Sequence, residues 1–150
     1  MPKTNFFYRI TFLILFVFVT TSAFRQNKDL PKEILKYTND YRRSKGKPGL
    51  EMKTDLNAIA QNHSEAMANG SRSFGHGGFD QRVLKIKKIF KSCNVAENVA
   101  YGASNAKEVF TTWKNSSDHR KNMLGNYRYV GIGIARNKHG IIYYTEIFVR

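Results

Sequence analysis

The sequence predicts an α+β domain. Apolar residues recur at helical spacing in successive stretches between Pro31 and Gly125. The C-terminal part alternates instead, in two runs on either side of Asn137-Lys138-His139-Gly140, which reads as a hairpin turn. Helices first and a hairpin last is the α+β order, not the regular βαβ alternation of a parallel sheet. With 150 residues, 41% of them hydrophobic, the chain has material for one domain with a real core and a short extra segment.

The extra segment is N-terminal. Residues 1–23 have the form of an export signal: Lys3 and Arg9, then the apolar run Ile10 to Val19, then Thr21-Ser22-Ala23 as small residues at a cleavage point. The apolar run is too short to span a bilayer as a helix of about 20 residues. The expected location is secreted, extracellular or periplasmic. The alternative is an uncleaved N-terminal anchor. Residues 24–33 form a polar linker, and the domain proper is placed at 34–150.

Pro31 suits a first helical turn, and Ile34, Leu35, Thr38 and Tyr41 share one face of a helix expected to reach about Ser44. Gly46 to Gly49 break it, and Leu50 begins a short extended connection. Thr54 or Asp55 is placed to cap a second helix carrying Leu56, Ile59, Ala60, His63 and Met67 on its apolar side. His63 falls on or beside that side, as expected of a core histidine donating to a backbone carbonyl. The glycine-rich run Asn69 to Gly78 excludes helix and regular strand, and presents His76. Phe79 to Lys91 returns to helical spacing, with Val83, Ile86, Ile89 and Phe90 opposite Gln81, Arg82 and four lysines. It is expected to be a packed surface helix, with a membrane-surface contact as the functional alternative.

Val95 to Gly102 is small and apolar, a buried strand or a turn into one. Glu97 within it is costly to bury unless paired, which calls for a cationic or metal partner. Asn105 and Glu108 form a capping box for a helix whose face is Ala106, Val109, Phe110 and Trp113. Ser116 or Asp118 caps a short helix with His119 and Arg120 in its first turn, where Arg120 has carboxylates nearby to pair with. Tyr127 to Ala135 contains V-G-I-G-I-A, two glycines in a strand where something packs closely. Ile142 to Val149 returns, with Tyr144, Glu146 and Phe148 on one face.

The formal charge is +14, and loss of Lys3 and Arg9 with the leader lowers it by only two. A basic domain favours anionic partners such as lipid head groups or wall polymers, or else simply a solvated surface. No arginine-rich or aromatic-interleaved motif points to nucleic acid. Cys93 is the sole cysteine, so internal disulfides and cysteine-rich zinc frameworks are excluded, and the thiol is expected to be buried and inert.

Taken together, N-D-Y-R-R from Asn39, L-N-A-I-A-Q-N-H-S-E-A-M-A from Leu56, the His76 loop, E-N-V-A-Y-G from Glu97, W-K-N-S-S-D-H-R-K-N-M-L from Trp113, V-G-I-G-I-A from Val130 and Y-Y-T-E-I-F from Tyr143 resemble the CAP superfamily, or SCP domain. That superfamily comprises cysteine-rich secretory proteins, antigen 5 and pathogenesis-related 1 proteins. The resemblance is to its disulfide-free bacterial branch and spans about Ile34 to Phe148. It implies a three-layer α-β-α sandwich with a small central antiparallel sheet and a cleft carrying two His and two acids. By that resemblance His76 is the first His, Glu97 the first acid and His119 the second His. Ser116 stands where the second acid is expected, Ala96 where a Gly precedes the Glu, and Glu146 where the last strand has Gln. Glu146 is therefore a candidate to compensate for the missing acid.

Two functions follow as expectations. The first is an extracellular binding module rather than an enzyme, with His76, Glu97, Ser116 and His119 lining a ligand cleft and a basic surface for lipid, cell-envelope or protein ligands. The chain is expected to be a monomer. The second is a metal-dependent hydrolase, in which His76 and His119 hold Zn²⁺ and Glu97 is a third ligand or the general base to a bound water. A serine hydrolase is disfavoured, because no serine is placed as a nucleophile by the pattern.

Overall fold

The structure is a computed structural model that describes residues 30–91 and 93–150. The export signal expected at 1–23 lies outside the described residues. Residues 31–150 form one compact unit. Helix α1 covers residues 30–44 and takes in the last residues of the segment read as linker. There follow β1 (Glu51–Met52), α2 (Thr54–Ala68), α3 (Phe79–Ile89), β2 (Val95–Tyr101), α4 (Ala106–Asn115), α5 (Ser117–Met123), β3 (Tyr129–Arg136) and β4 (Ile142–Val149). Among the described residues no helix is long and apolar enough to cross a membrane.

The four strands make one sheet in the order β1-β3-β4-β2. β4 pairs antiparallel with both β3 and β2, placing Glu97 opposite Ile147 and Asn98 opposite Glu146. The expected antiparallel sheet is correct for these three strands. β1 differs: its two residues pair parallel with Tyr129 and Val130. A two-residue strand has no alternation of its own to announce it in sequence.

Helices cover both faces. On one, α2 and α3 pack over Ile147 and Val149, with Leu56, Ala60, Ile86 and Cys93 in a shared apolar cluster. On the other, α1, α4 and α5 enclose Tyr144, Glu146 and Phe148, and Ile34, Val109, Trp113 and Met123 are fully buried there. Phe110 of α4 stacks on Tyr37 of α1 at 5.6 Å. Arg42 of α1 is also buried and fans onto the carbonyls of Pro48, Met123, Gly125 and Tyr127, satisfying the C-terminal end of α5. This is the three-layer sandwich.

The two strand glycines explain the close approach of α2. A Cβ on Gly131 would overlap the Leu56 backbone, and one on Gly133 the backbone of Ala60 and Gln61. Side chains of α2 complete the contact: Asn57 and Gln61 accept the amides of Ile132 and Ile134, and Ser64 donates to the Gly133 carbonyl. Gly133→Ala is expected to lower stability by about 1–3 kcal/mol, because neither backbone can give way. Urea unfolding checks this, and an unchanged midpoint would contradict the contact.

The edge strand β2 is protected by side chains. Trp113 donates its indole N–H to the Val99 carbonyl at 3.2 Å, and Asn122 donates to the Glu97 carbonyl at 3.3 Å. An edge tied in this way cannot template another strand. The expected capping box at α4 forms, with Asn105 Oδ1 accepting the Glu108 amide, while the Glu108 carboxylate reaches one residue further back to Ser104. Neither Thr54 nor Asp55 caps α2: the cap position is Lys53, without a side-chain hydrogen bond. Ser116 occupies the cap position of α5, also without a side-chain bond, and Asp118 lies inside the helix. Arg120 donates to the Lys114 carbonyl rather than pairing with a carboxylate.

Candidate functional site

Glu97 enters the α2/α3 side of the sheet, and its side chain is almost wholly buried. Its partner is Arg82. The guanidinium donates Nε to Oε2 at 2.7 Å and Nη2 to Oε1 at 2.6 Å, a bidentate pair, and Nη1 bonds the Gly77 carbonyl at 2.9 Å. This corrects the placement of Arg82 on the solvent face of α3. It is 7% exposed, while Leu84 and Ile89, the latter expected inside, are out in solvent. Two signals in the sequence bore on this: a buried acid demanded a cation, and Arg82 lies one turn before buried Ile86 on a helix whose other cations are lysines. A planar guanidinium can engage both carboxylate oxygens at once, and an ammonium cannot.

The glycine loop brings His76 to the same carboxylate. Nδ1 lies 2.9 Å from Glu97 Oε1, and since a carboxylate accepts, Nδ1–H donates. That leaves Nε2 as the free nitrogen of a half-exposed ring. Gly75 and Gly78 hold positive φ on either side of it, and the Phe79 amide bonds the His76 carbonyl to close the loop onto α3.

His63 is the expected core histidine. Nε2 bonds the Gly75 carbonyl at 2.9 Å and lies 3.9 Å from Glu97 Oε1. Burial, then the Arg82 charge, hold its pKa below the ordinary value, so it is neutral. The sequence reading missed its place beside the acid.

His119 approaches from the opposite layer, on the first turn of α5. Asn98 donates to its carbonyl at 3.1 Å, and Asn122 bridges to Asn98 Oδ1 at 2.9 Å, fastening α5 to β2 at Glu97–Asn98. Burial depresses the His119 pKa, with a further push from His76 and an opposing pull from Asp118. His119 Nδ1 is buried without a hydrogen-bond partner among the described residues.

Ser116 sits at the α4–α5 junction, half-buried, and no described hydrogen bond ties its hydroxyl to either His. Glu146 does not stand in for the missing acid. Its register opposite Asn98 sends it to the α1 side of the sheet, where it is fully buried and accepts from the Thr38 hydroxyl at 3.3 Å.

The donor set for a metal follows from this geometry. Among the described residues no cluster of three or more His, Cys, Asp or Glu is arranged to hold an ion. Glu97, with both oxygens engaged, is an outer partner that orients His76. A carboxylate behind Nδ1–H leaving Nε2 free is the usual support for a metal-bound imidazole. The nitrogens that could hold a divalent ion here are His76 Nε2 and the unpartnered Nδ1 of His119, two protein ligands at most. Such an ion would supply Lewis acidity and a coordination site for a ligand.

This architecture is shared with known proteins. An outer surface protein of Borrelia burgdorferi superposes with a TM-score of 0.71 at 20% identity, covering 82% of this chain and 93% of that one. An extracellular SCP-domain protein of Bacillus anthracis does so at 0.67 and 27% identity, covering 83% of this chain and 41% of that one. The class is the SCP-type sandwich. The CAP family model, described as the cysteine-rich secretory protein family, matches residues 35–148, and the chain belongs to that family. The Bacillus subtilis protein YkwD, described as uncharacterized, is 30% identical over 122 residues, 79% of this chain and 47% of the relative. The chain spans about half the length of that curated relative.

Proposed function

We propose that the chain is an extracellular binding module, in which the rim formed by His76 and His119 takes a divalent ion or a ligand bound through it. The observation that carries this reading is the state of Glu97. A hydrolase of the expected kind needs Glu97 as a free ligand or base. Here the Arg82 fork occupies both oxygens and the His76 N–H adds a third bond, so the carboxylate orients the imidazole and takes no proton from water. Export is supported by the character of residues 1–23 and by the description of the Bacillus anthracis relative as extracellular. The net charge of +14 supports docking to anionic lipid or envelope polymers.

Calorimetry with zinc tests the rim. One ion per chain is expected in the wild type, and His76→Ala is expected to weaken uptake at least tenfold while the unfolding midpoint of the metal-free protein holds. Uptake indifferent to His76→Ala would overturn the assignment. Cosedimentation with anionic liposomes tests the surface: binding should fall as ionic strength rises. Salt-independent binding would show that charge is not its cause.

A further inference from the structure

A second polar pocket borders Arg82, between α2 and the start of α3. Its volume is about 140 Å³, and Asn62, His63, Arg72, Gln81, Arg82 and Lys85 line it together with apolar and glycine positions. That exceeds the space of a single water, whose share of the liquid is about 30 Å³. No carboxylate is among the lining residues, and three are cationic. Arg82 is already committed to Glu97. Arg72 lies over Gly78, where a Cβ would overlap its guanidinium, and neither Arg72 nor Lys85 has a side-chain partner in the hydrogen bonds and ion pairs of the described residues. Gly78, at the cap position of the eleven-residue α3, has no side chain to bond the first-turn amides.

The wall of the pocket carries the decisive group. His63 is 3% exposed, and with Nε2–H given to the Gly75 carbonyl its Nδ1 is a buried lone-pair acceptor with no donor among the described residues. A buried acceptor left unmet costs about 1–3 kcal/mol and asks for a donor. Cationic donors on one side and a neutral acceptor on the other describe a particular ligand: an anion that keeps a hydroxyl. Sulfate meets the first requirement only. Phosphate at neutral pH meets both, its oxygens accepting from Arg72, Lys85 and the first-turn α3 amides beyond Phe79 while its P–OH donates to His63.

We propose that this pocket binds a singly protonated phosphate group, as inorganic phosphate or as the terminal group of a phosphate monoester. The helix N-terminus favours the charge and the guanidinium fork suits the tetrahedral oxygens. The proposal does not depend on the His76/His119 rim, because no lining residue is a proposed metal ligand.

Calorimetry of the full chain at pH 7 and constant ionic strength tests it, with inorganic phosphate, sulfate and glycerol 3-phosphate as probes. Phosphate is expected to bind one to one and at least tenfold more tightly than sulfate. Arg72→Ala is expected to weaken phosphate at least tenfold without moving the unfolding midpoint of the ligand-free protein, since the Arg72 side chain is exposed and unbonded. Nitrogen NMR gives a second readout in the wild type: the His63 Nδ1 resonance should move with phosphate and stay with sulfate. Glycerol 3-phosphate binding, strengthened between pH 7 and 6 as the ester gains its proton, would identify a monoester ligand, and binding of inorganic phosphate alone would identify the free ion. Equal affinity for phosphate and sulfate, an unmoved His63 resonance, or phosphate binding unaffected by Arg72→Ala would each overturn the proposal.

Discussion

Arg82→Ala is expected to destabilise the domain by about 3–5 kcal/mol, the usual effect of removing one partner from a buried ion pair. The loss is large because of what stays behind. Glu97 remains under the α2/α3 layer with one N–H from His76 in place of three hydrogen bonds, and the Gly77 carbonyl loses its donor as well. A domain of this size holds about 5–15 kcal/mol in total, so the variant is expected to be close to its unfolding midpoint at modest urea concentrations. Arg82→Lys is expected to recover only part, because one ammonium cannot bridge Oε1 and Oε2 in the plane of the carboxylate. The double change Arg82→Met with Glu97→Gln is expected to be more stable than Arg82→Met alone, since it removes the stranded charge. Urea denaturation of the wild type, Arg82→Met, Glu97→Gln and the double variant completes the cycle. Additive changes, with no coupling between positions 82 and 97, would show that the pair does not hold the loop and strand together.

The same residues show where sequence reading reaches and where it stops. The hairpin, the amphipathic helices and the close approach at Gly131 and Gly133 were legible because each follows from a local rule: a turn tetrapeptide, a 3.6-residue period, two glycines in a strand. The need for a partner at Glu97 was legible too, from the desolvation of a carboxylate among small apolar neighbours. Its identity was not. Amphipathic patterning assigns every cation on a helix to solvent, and only the tertiary approach of β2 turns Arg82 inward. His76 was found by resemblance and by its loop, whereas the role of His63 beside the acid depends on the curl of that loop back to Gly75. Helix caps shifted by a residue at α2, the usual uncertainty of a helix end. The face of Glu146 was illegible for a definite reason. Nearly every residue of β4 is buried, because helices cover both sides, and a strand buried on both faces carries no in–out alternation to read.

That buried face sets up the last expectation: Glu146→Gln should stabilise the protein at neutral pH by about 3 kcal/mol. Burial pushes the Glu146 carboxyl up from 4.5 to about 8, against weaker opposing pulls from Thr38 and Arg42. At pH 7 the folded chain therefore holds this proton and the unfolded chain has released it. Wherever the folded state binds the extra proton, stability falls as pH rises, so the loss begins near pH 4.5, deepens through neutrality and levels off above about 8. At pH 7 it amounts to about 3 kcal/mol, at roughly 1.4 kcal/mol for each unit above the unfolded value. Glutamine has nearly the same shape and no proton to retain. Its oxygen keeps the Thr38 hydroxyl, and its amide takes the place of Oε2, which has no partner in the wild type either. The two proteins should therefore have similar midpoints near pH 4.5 and diverge steadily towards pH 8. Thermal or urea unfolding across that range measures it directly. Parallel profiles would mean that Glu146 is ionised in the folded protein, with the Arg42 guanidinium compensating the charge through the α1 layer. A divergence that opens from about pH 4.5 and levels off above about 8 would mark this carboxyl as a neutral strut beneath the Asn98–His119 contact.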